Sequence, residues 1–522
     1  MSDKNFVLLQ ARLNSSRLYQ KSLLPINDKS LVEQCYSNAF FNDKHFDFVV
    51  LIPKDKKSYL LEKELVKKNI KYFKGDENNV LLRFSQFLKD KSRDSIVIRL
   101  TADNPFVDKK FIKFCFEIFK KKRLKYFSSH ENLTNTPYGL SLEIFKAHMI
   151  FESLKFLKDE KNIEHVTTYI RKKYLKNSRF FCKEFENLNF KFKLSIDSHQ
   201  DYKRIKSIFE YLKVKNFKQL KKINEKIINE NFYKKKPNKI VIGTVQLGKK
   251  YFCNNSISQK RADKILNSAV SKKVNFLDTA SDYGLSEKYI GNFSKKFNKF
   301  FFISTKLSYI PNIKNKDKII EKVNLSVINS LKRLKISSIE YFFIHDPENI
   351  NNKTIINEII KFKNTGIIKN LGISIYDPKD LKILKTGFFD AVQIPFNLFD
   401  HKFLKFIVNN KKYTIFVRSI FLRGNLTSNK IKLPDQKYNY LKFFFYDLIK
   451  NKNYKNFFQL TFSFLKYLKN INYIIVGFQN NKQMSVLKLL PSSPVMKKKT
   501  FNQILKLIKK SKIEKDIDLR FW

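Results

Sequence analysis

Glycine and proline are scarce, 11 and 12 among 522 residues, which excludes collagen-like and Gly/Pro-rich low-complexity chains. The four cysteines, Cys35, Cys115, Cys182 and Cys253, lie far apart and form no CxxC pair. That spacing argues against a disulfide framework or a cysteine zinc site and points to the reducing cytoplasm. Cys35 and Cys115 fall in helical apolar patterns and read as core residues. No run of about 18 apolar residues occurs, so no membrane-spanning helix is expected. The opening segment holds only a short apolar stretch without a small-residue cleavage site, and reads as a strand rather than a signal peptide. Acidic residues are also few: 47 Asp and Glu stand against 104 Lys and Arg, a net charge of +57.

Such an excess of cations fits either a polyanion binder or a general compositional drift toward Lys, Asn, Phe, Ile and Tyr. The lysines are spread along the whole chain in short groups, with no RNA-binding signature and no zinc-finger spacing. Drift is the better account, and no specific nucleic-acid partner is expected. With 43% hydrophobic residues, including 53 Phe and 24 Tyr, the chain can bury large cores. Its length, at about 150 residues per domain, predicts two to four domains.

The joint is expected at NFYKKKPNK (231–239), where Pro237 interrupts regular structure between a charged helical pattern (217–229) and a fresh apolar run. Residues 1–230 and 239–522 are therefore expected as domains, with 231–238 as linker. In the second, eight apolar runs begin at Ile240, Asn275, Phe301, Ile339, Ile368, Ala391, Thr414 and Tyr473, ending at Gln246, Ala280, Leu307, His345, Ser374, Phe396, Ser419 and Phe478. Near-continuous apolar character suits parallel strands buried on both faces, and amphipathic helical patterns fill the gaps. Eight such β/α units predict a (β/α)8 TIM barrel, with a doubly wound open sheet as the alternative. The first half gives strands at 6–11, 46–53, 70–73, 95–100 and 125–128 with helices between, a Rossmann-like three-layer α/β domain.

A TIM barrel does its chemistry at the C-terminal strand ends. There stand Asp278, Lys306, His345, Ser374, Gln393 and Arg418, with Tyr283 on the loop after Asp278. Taken singly, Asp278 reads as a turn cap, Lys306 as a solvated lysine and His345 as a rim histidine. Together they make a tuned proton donor: a phenol of pKa about 10 is a poor acid, and an adjacent ammonium favours its phenolate. The carboxylate would keep that lysine charged, and a neutral histidine would position a carbonyl oxygen. Such a set protonates oxygen while a nicotinamide delivers hydride to carbon.

The segments GTVQLG (243–248), FLDTASDYGLSEKYIG (276–291), STKL (304–307), FFIHDPE (342–348), LGIS (371–374) and VQIPFNLFD (392–400) resemble the aldo/keto reductases, from residue 239 to about 490. The resemblance implies that Asp278, Tyr283, Lys306 and His345 form the catalytic tetrad, with Tyr283 as general acid. It implies that Ser374 and Gln393 hold the nicotinamide carboxamide. The segment 477–483, with Gly477, Gln479 and Gln483, would grip the adenosine phosphate. Three departures stand out. Ile375 replaces a frequent Asn, Arg418 stands where many members stack an aromatic ring on the nicotinamide, and Gln479 replaces an arginine that reads the 2′-phosphate. The cofactor is therefore NADP or NAD.

In the first half, QARLNSSRLYQKSLLPI (10–26) sets Arg12, Arg17 and Lys21, with Ser15 and Ser16, between a strand and a helix, where cations and backbone amides can cradle a triphosphate. RLTADNP (99–105) and LSIDSHQD (194–201) each place an aspartate, Asp103 and Asp197, just past an apolar run. Singly each reads as a helix or turn cap; as a pair facing phosphates they suit Mg2+. With FKGDENNVLLRF (73–84), PYGLSLEIF (137–145) and EHVTTYI (164–170), these segments resemble the sugar cytidylyltransferases of spore-coat and surface polysaccharide synthesis, related to those that activate acidic sugars. By that resemblance Arg12, Arg17 and Lys21 bind CTP, Asp103 and Asp197 hold Mg2+, and Pro137, Tyr138 and Gly139 line the sugar site. Asn14 replaces a usual Gly, and Tyr19-Gln20 a usual Pro-Gly. The expectation is a bifunctional cytoplasmic enzyme, a CTP-dependent transferase acting on an acidic sugar fused to an NAD(P)H-dependent reductase of a small carbonyl compound. The alternative is a reductase carrying a degenerate nucleotide-binding domain.

Overall fold

The computed structural model describes residues 4–13, 15–129, 134–156, 166–175, 181–186, 192–210, 212–214, 217–223, 236–248, 257–424, 433–451, 454–478, 480, 483–488 and 492–517. The chain forms two compact units, Met1–Tyr233 and Lys234–Trp522.

In the first unit six strands form one sheet: β1 (Asn5–Gln10), β2 (Phe46–Pro53), β3 (Tyr72–Gly75), β4 (Ile96–Thr101), β5 (Tyr126–Ser128) and β6 (Glu143–Lys146). Their order is β3-β2-β1-β4-β6-β5. The first four pair in parallel, and β6 runs antiparallel to both β4 and β5. Leu8, Val50, Leu51 and Val97 are fully buried, as parallel strands covered on both faces require. Helices follow where capping residues allow: Ser30, Asn79 and Asp108 each accept a backbone N–H of the first turn of Leu31–Ala39, Val80–Leu88 and Lys109–Lys121. Strand order reverses at β1, whose neighbours are β2 on one side and β4 on the other. The C-terminal ends of β1 and β4 therefore flank the crevice where open α/β sheets bind ligands. β6 was not anticipated, and β3 begins two residues later than the apolar pattern placed it.

The second unit is a closed barrel of eight parallel strands: β7 (Ile240–Gly243), β8 (Phe276–Asp278), β9 (Phe302–Lys306), β10 (Ile339–Ile344), β11 (Ile368–Ser374), β12 (Ala391–Pro395), β13 (Thr414–Arg418) and β14 (Tyr473–Gly477). β14 pairs with β7 and closes the ring. The expected TIM barrel is thus formed, and the open sheet is not. Phe276, Tyr341, Phe343 and Phe416 fill its interior, Phe416 meeting the other three rings edge-to-face, with Phe276 5.9 Å away. Polar strand ends lie beyond that apolar floor. The run expected as a strand to Gln246 stops at Gly243. Thr244 turns the chain, its N–H and hydroxyl both donating to the Asp278 carbonyl (2.9 and 3.0 Å), and Val245–Gly248 is helical. The helix Lys498–Ser511 buries Phe501 against Phe464 and Tyr467, at 5.0 and 4.1 Å between ring centroids. The helix expected at 217–229 is a 3-10 segment over Phe217–Lys222, and 224–229 lies outside the described residues. Among the described residues no helix is long and apolar enough to cross a membrane.

Candidate active sites

Parallel pairing brings the polar ends of β8 to β13 to one mouth of the barrel. Asp278, Lys306, Ser374 and Arg418 are the last residues of their strands, and His345 follows β10 directly. Lys306 Nζ donates to Asp278 Oδ2 at 2.8 Å and to the Thr279 carbonyl at 2.9 Å, and lies 5.3 Å from the centre of the Tyr283 ring. Ser304 Oγ and Gln393 Nε2 both donate to Asp278 Oδ1, at 2.8 and 3.0 Å, while Ser374 Oγ donates to Gln393 Oε1 at 3.0 Å. The structure thus gathers four of the predicted residues, Asp278, Lys306, Ser374 and Gln393, into one chain of hydrogen bonds, with the Tyr283 ring beside Lys306. Ser304, which fixes the carboxylate, was not foreseen.

Burial opposes the charge of Lys306, and Asp278 overcomes it, holding the ammonium above its ordinary pKa. Burial likewise keeps His345 neutral, with help from Lys306, and takes its pKa down to about 4. Its Nδ1 is buried without a hydrogen-bond partner among the described residues. For Tyr283 the outcome differs from the sequence argument. Lys306 does pull the phenol down, but burial outweighs it and the pKa rises. Tyr283 is placed by two glycines: a Cβ on Gly248 would lie 1.6 Å from the Tyr283 carbonyl oxygen, and Gly284 adopts φ +56°. The next residues serve structure. Ser286 donates to Thr244 Oγ1 at 2.8 Å, and buried Glu287 accepts from Thr305 and Arg333, both at 2.7 Å. Gly477 ends β14, Gln483 opens the short 3-10 segment Gln483–Lys488, and Gln479 lies outside the described residues.

In the first unit the crevice at β1 and β4 holds a second cluster. Lys21 Nζ donates to Asp103 Oδ2 and to the Ile196 carbonyl, both at 3.0 Å, and lies 3.9 Å from Asp197 Oδ1. Arg17 pairs with Asp197 at 3.3 Å. One ammonium therefore sits within 4 Å of both carboxylates, a stand-in showing that the pair can share a cation. Burial raises the Asp103 carboxyl, yet Lys21 and a Thr101 hydrogen bond hold it below the usual range. The charge of Arg12 acts on Arg83. Gln20 takes the left-handed conformation (φ 56°) that glycine would supply, so the altered turn keeps its shape. Asn14 lies outside the described residues. Gly139, at φ +92°, lets Pro137–Gly139 close on the Asp197 loop, where Leu194 N–H donates to the Tyr138 carbonyl at 2.7 Å.

Two features escaped the sequence reading. Arg83 is 1% exposed; it donates to the Asp76 and Glu77 carbonyls (2.9 and 3.1 Å), and burial lowers its pKa to about 10. Glu143, on β6, accepts from Arg99, Arg171, Thr167 and Tyr126. Burial opposes its charge, and the two guanidiniums win, taking its pKa to about 2. Arg99 also donates to Gln10 Oε1 at 3.0 Å, tying this network to the crevice.

Fold and sites define a six-stranded α/β domain with a cation-bridged pair of aspartates, joined in one chain to an eight-stranded parallel barrel with a buried lysine–aspartate pair beside a tyrosine. Residues 239–508 match the aldo/keto reductase family and residues 6–236 the cytidylyltransferases, so the chain belongs to the aldo/keto reductases through its barrel and to the cytidylyltransferases through its first unit. The spore coat polysaccharide biosynthesis protein SpsF of Bacillus subtilis is 30% identical over 218 residues, covering 40% of this chain and 88% of that protein. A cytidylyltransferase from Leptospira borgpetersenii is 24% identical, covering 44% of this chain and 99% of its own, with a TM-score of 0.38. An aldo-keto reductase from Bacillus halodurans is 19% identical over 52% of this chain and 91% of its own, with a TM-score of 0.44.

Proposed function

We propose that the chain is a bifunctional enzyme of surface-polysaccharide sugar metabolism, working in the cytoplasm. Its barrel would reduce a carbonyl compound with NAD(P)H, and its first unit would transfer CMP from CTP to a sugar acid. One observation carries the reductase reading: Lys306 bonded to Asp278 at 2.8 Å beneath the Tyr283 ring, with neutral His345 beside them. In this reading Tyr283 Oη gives its proton to the carbonyl oxygen, which His345 positions. The charge on Lys306, secured by Asp278, then stabilises the phenolate left behind. The buried Ser374–Gln393 pair offers a hydroxyl and an amide that would hold the nicotinamide carboxamide. The nicotinamide supplies the hydride when bound.

In the first unit, Asp103 and Asp197 would hold Mg2+, with Arg17 and Lys21 passing from the carboxylates to the triphosphate. The sugar oxygen would bond to the α-phosphorus as the bond to pyrophosphate breaks, a reaction driven by positioning and charge neutralisation. SpsF, named for spore-coat polysaccharide biosynthesis, supports the pathway class. The test is a pair of variants assayed for both activities. Tyr283→Phe is expected to lower reduction by about 10²–10⁴-fold and to leave CMP transfer intact. Asp103→Ala is expected to do the converse. Equal loss of both activities in either variant overturns the two-site reading.

A further inference from the structure

Arg418 ends β13 and lies opposite Pro395 of β12, the strand that carries Gln393. Its NH2 donates to the Ile375 carbonyl at 3.3 Å, next to Ser374, and its Cζ lies 3.9 Å from the centre of the Tyr376 ring. Among the described residues no carboxylate lies within ion-pair distance of it. A π face holds a guanidinium without cancelling its charge, whereas a carboxylate would neutralise it. That surviving charge reaches the reacting groups, since Tyr283, Lys306 and His345 all feel it.

A hydride donor must come into contact with the carbon whose oxygen Tyr283 protonates, so the nicotinamide ring has to enter this charged neighbourhood. The reduced ring is neutral and the oxidised ring carries one positive charge. We propose that Arg418 makes the site discriminate by charge between the two forms of its cofactor, holding reduced nicotinamide more tightly than oxidised. This rests on the reductase reading above and goes beyond it. Capture of the reduced form and release of the oxidised form would both be favoured by one side chain. Unlike a histidine, a guanidinium keeps its charge at every working pH.

The test is calorimetric titration of NADPH, NADP+, NADH and NAD+ into the full chain, with Arg418→Gln, Arg418→Lys and Arg418→Met. For whichever pair binds, the ratio of oxidised to reduced Kd should fall about tenfold in Arg418→Gln. That corresponds to about 30 mV in the potential of the bound couple. Arg418→Lys should keep most of the ratio because it keeps the charge. Arg418→Met retains the aliphatic stem over Tyr376 and gives a second uncharged variant should the glutamine disturb folding. A ratio unchanged within twofold in the uncharged variants, with both forms still binding, overturns the proposal. Failure of the unaltered chain to bind any nicotinamide would instead remove the reductase reading on which it stands.

Discussion

His345 and Tyr283 show how burial sets the protonation states of a site. Both are drawn toward their neutral forms, the imidazole to a pKa of about 4 and the phenol above its ordinary value. A phenol must be protonated to donate, so reduction should fall as pH rises through the elevated Tyr283 pKa. A neutral imidazole would donate its N–H to the carbonyl oxygen, whereas protonation would bury a second cation beside Lys306, so reduction should fall on the acid side only as pH drops toward about 4. A pH profile of kcat/KM is therefore expected to stay flat through neutrality, between an acid limb near 4 and an alkaline limb beyond 10. An acid limb near 6.5 would mean that His345 titrates as a solvated histidine. The residues themselves were legible in the sequence because each closes or follows an apolar run. The net shift of Tyr283 was not, because burial is a sum over neighbours that no local pattern contains.

At the scale of elements, the barrel strands were legible because both faces of each are covered, leaving unbroken apolar runs. β6 was not, since its four residues include buried Glu143 and exposed Lys146, which break the apolar signal. Only the tertiary meeting of Arg99, Arg171 and Glu143 makes that carboxylate tolerable in a core. The turn from β7 was misread for a related reason: Val245 and Leu247 look like strand residues, yet Thr244 bends the chain toward Asp278. That bend has a consequence for catalysis. It delivers Gly248 against the Tyr283 carbonyl, so a Cβ there forces the Tyr283 loop to move. Gly248→Ala should lower reductive kcat by about 10²-fold, because a displacement near 1 Å costs that much when a proton donor must be aligned. The check is kcat beside a thermal unfolding curve. Lost kcat with an unfolding midpoint close to that of the unaltered chain marks a displaced donor, whereas a collapsed midpoint marks a damaged barrel.

Over the whole molecule, the two α/β units were legible from the alternation of strand and helix patterns, whereas the overall excess of basic residues, 104 against 47 acidic, is spread along the chain and did not by itself mark either site. On the proposed reading, the units differ in where each would keep its working cation. In the barrel it is covalent: the ammonium of Lys306, locked on Asp278 and 2% exposed. In the first unit, Lys21 and Arg17 occupy carboxylates that a divalent ion would need, and Asp103 is half-buried rather than sealed. Charge neutralisation at the triphosphate would therefore depend on an exchangeable ion, whereas proton donation in the barrel would not. Chelation should separate the two activities. With EDTA in excess over Mg2+, CMP transfer is expected to fall by more than about 10²-fold, since the metal stabilises charge developing on the transferred group. Reduction of a carbonyl substrate in the same sample should stay within about twofold. Restoring Mg2+ should recover transfer alone. Parallel loss of reduction would mean that the barrel, too, borrows its cation from solution, and the role given to Lys306 would have to be withdrawn.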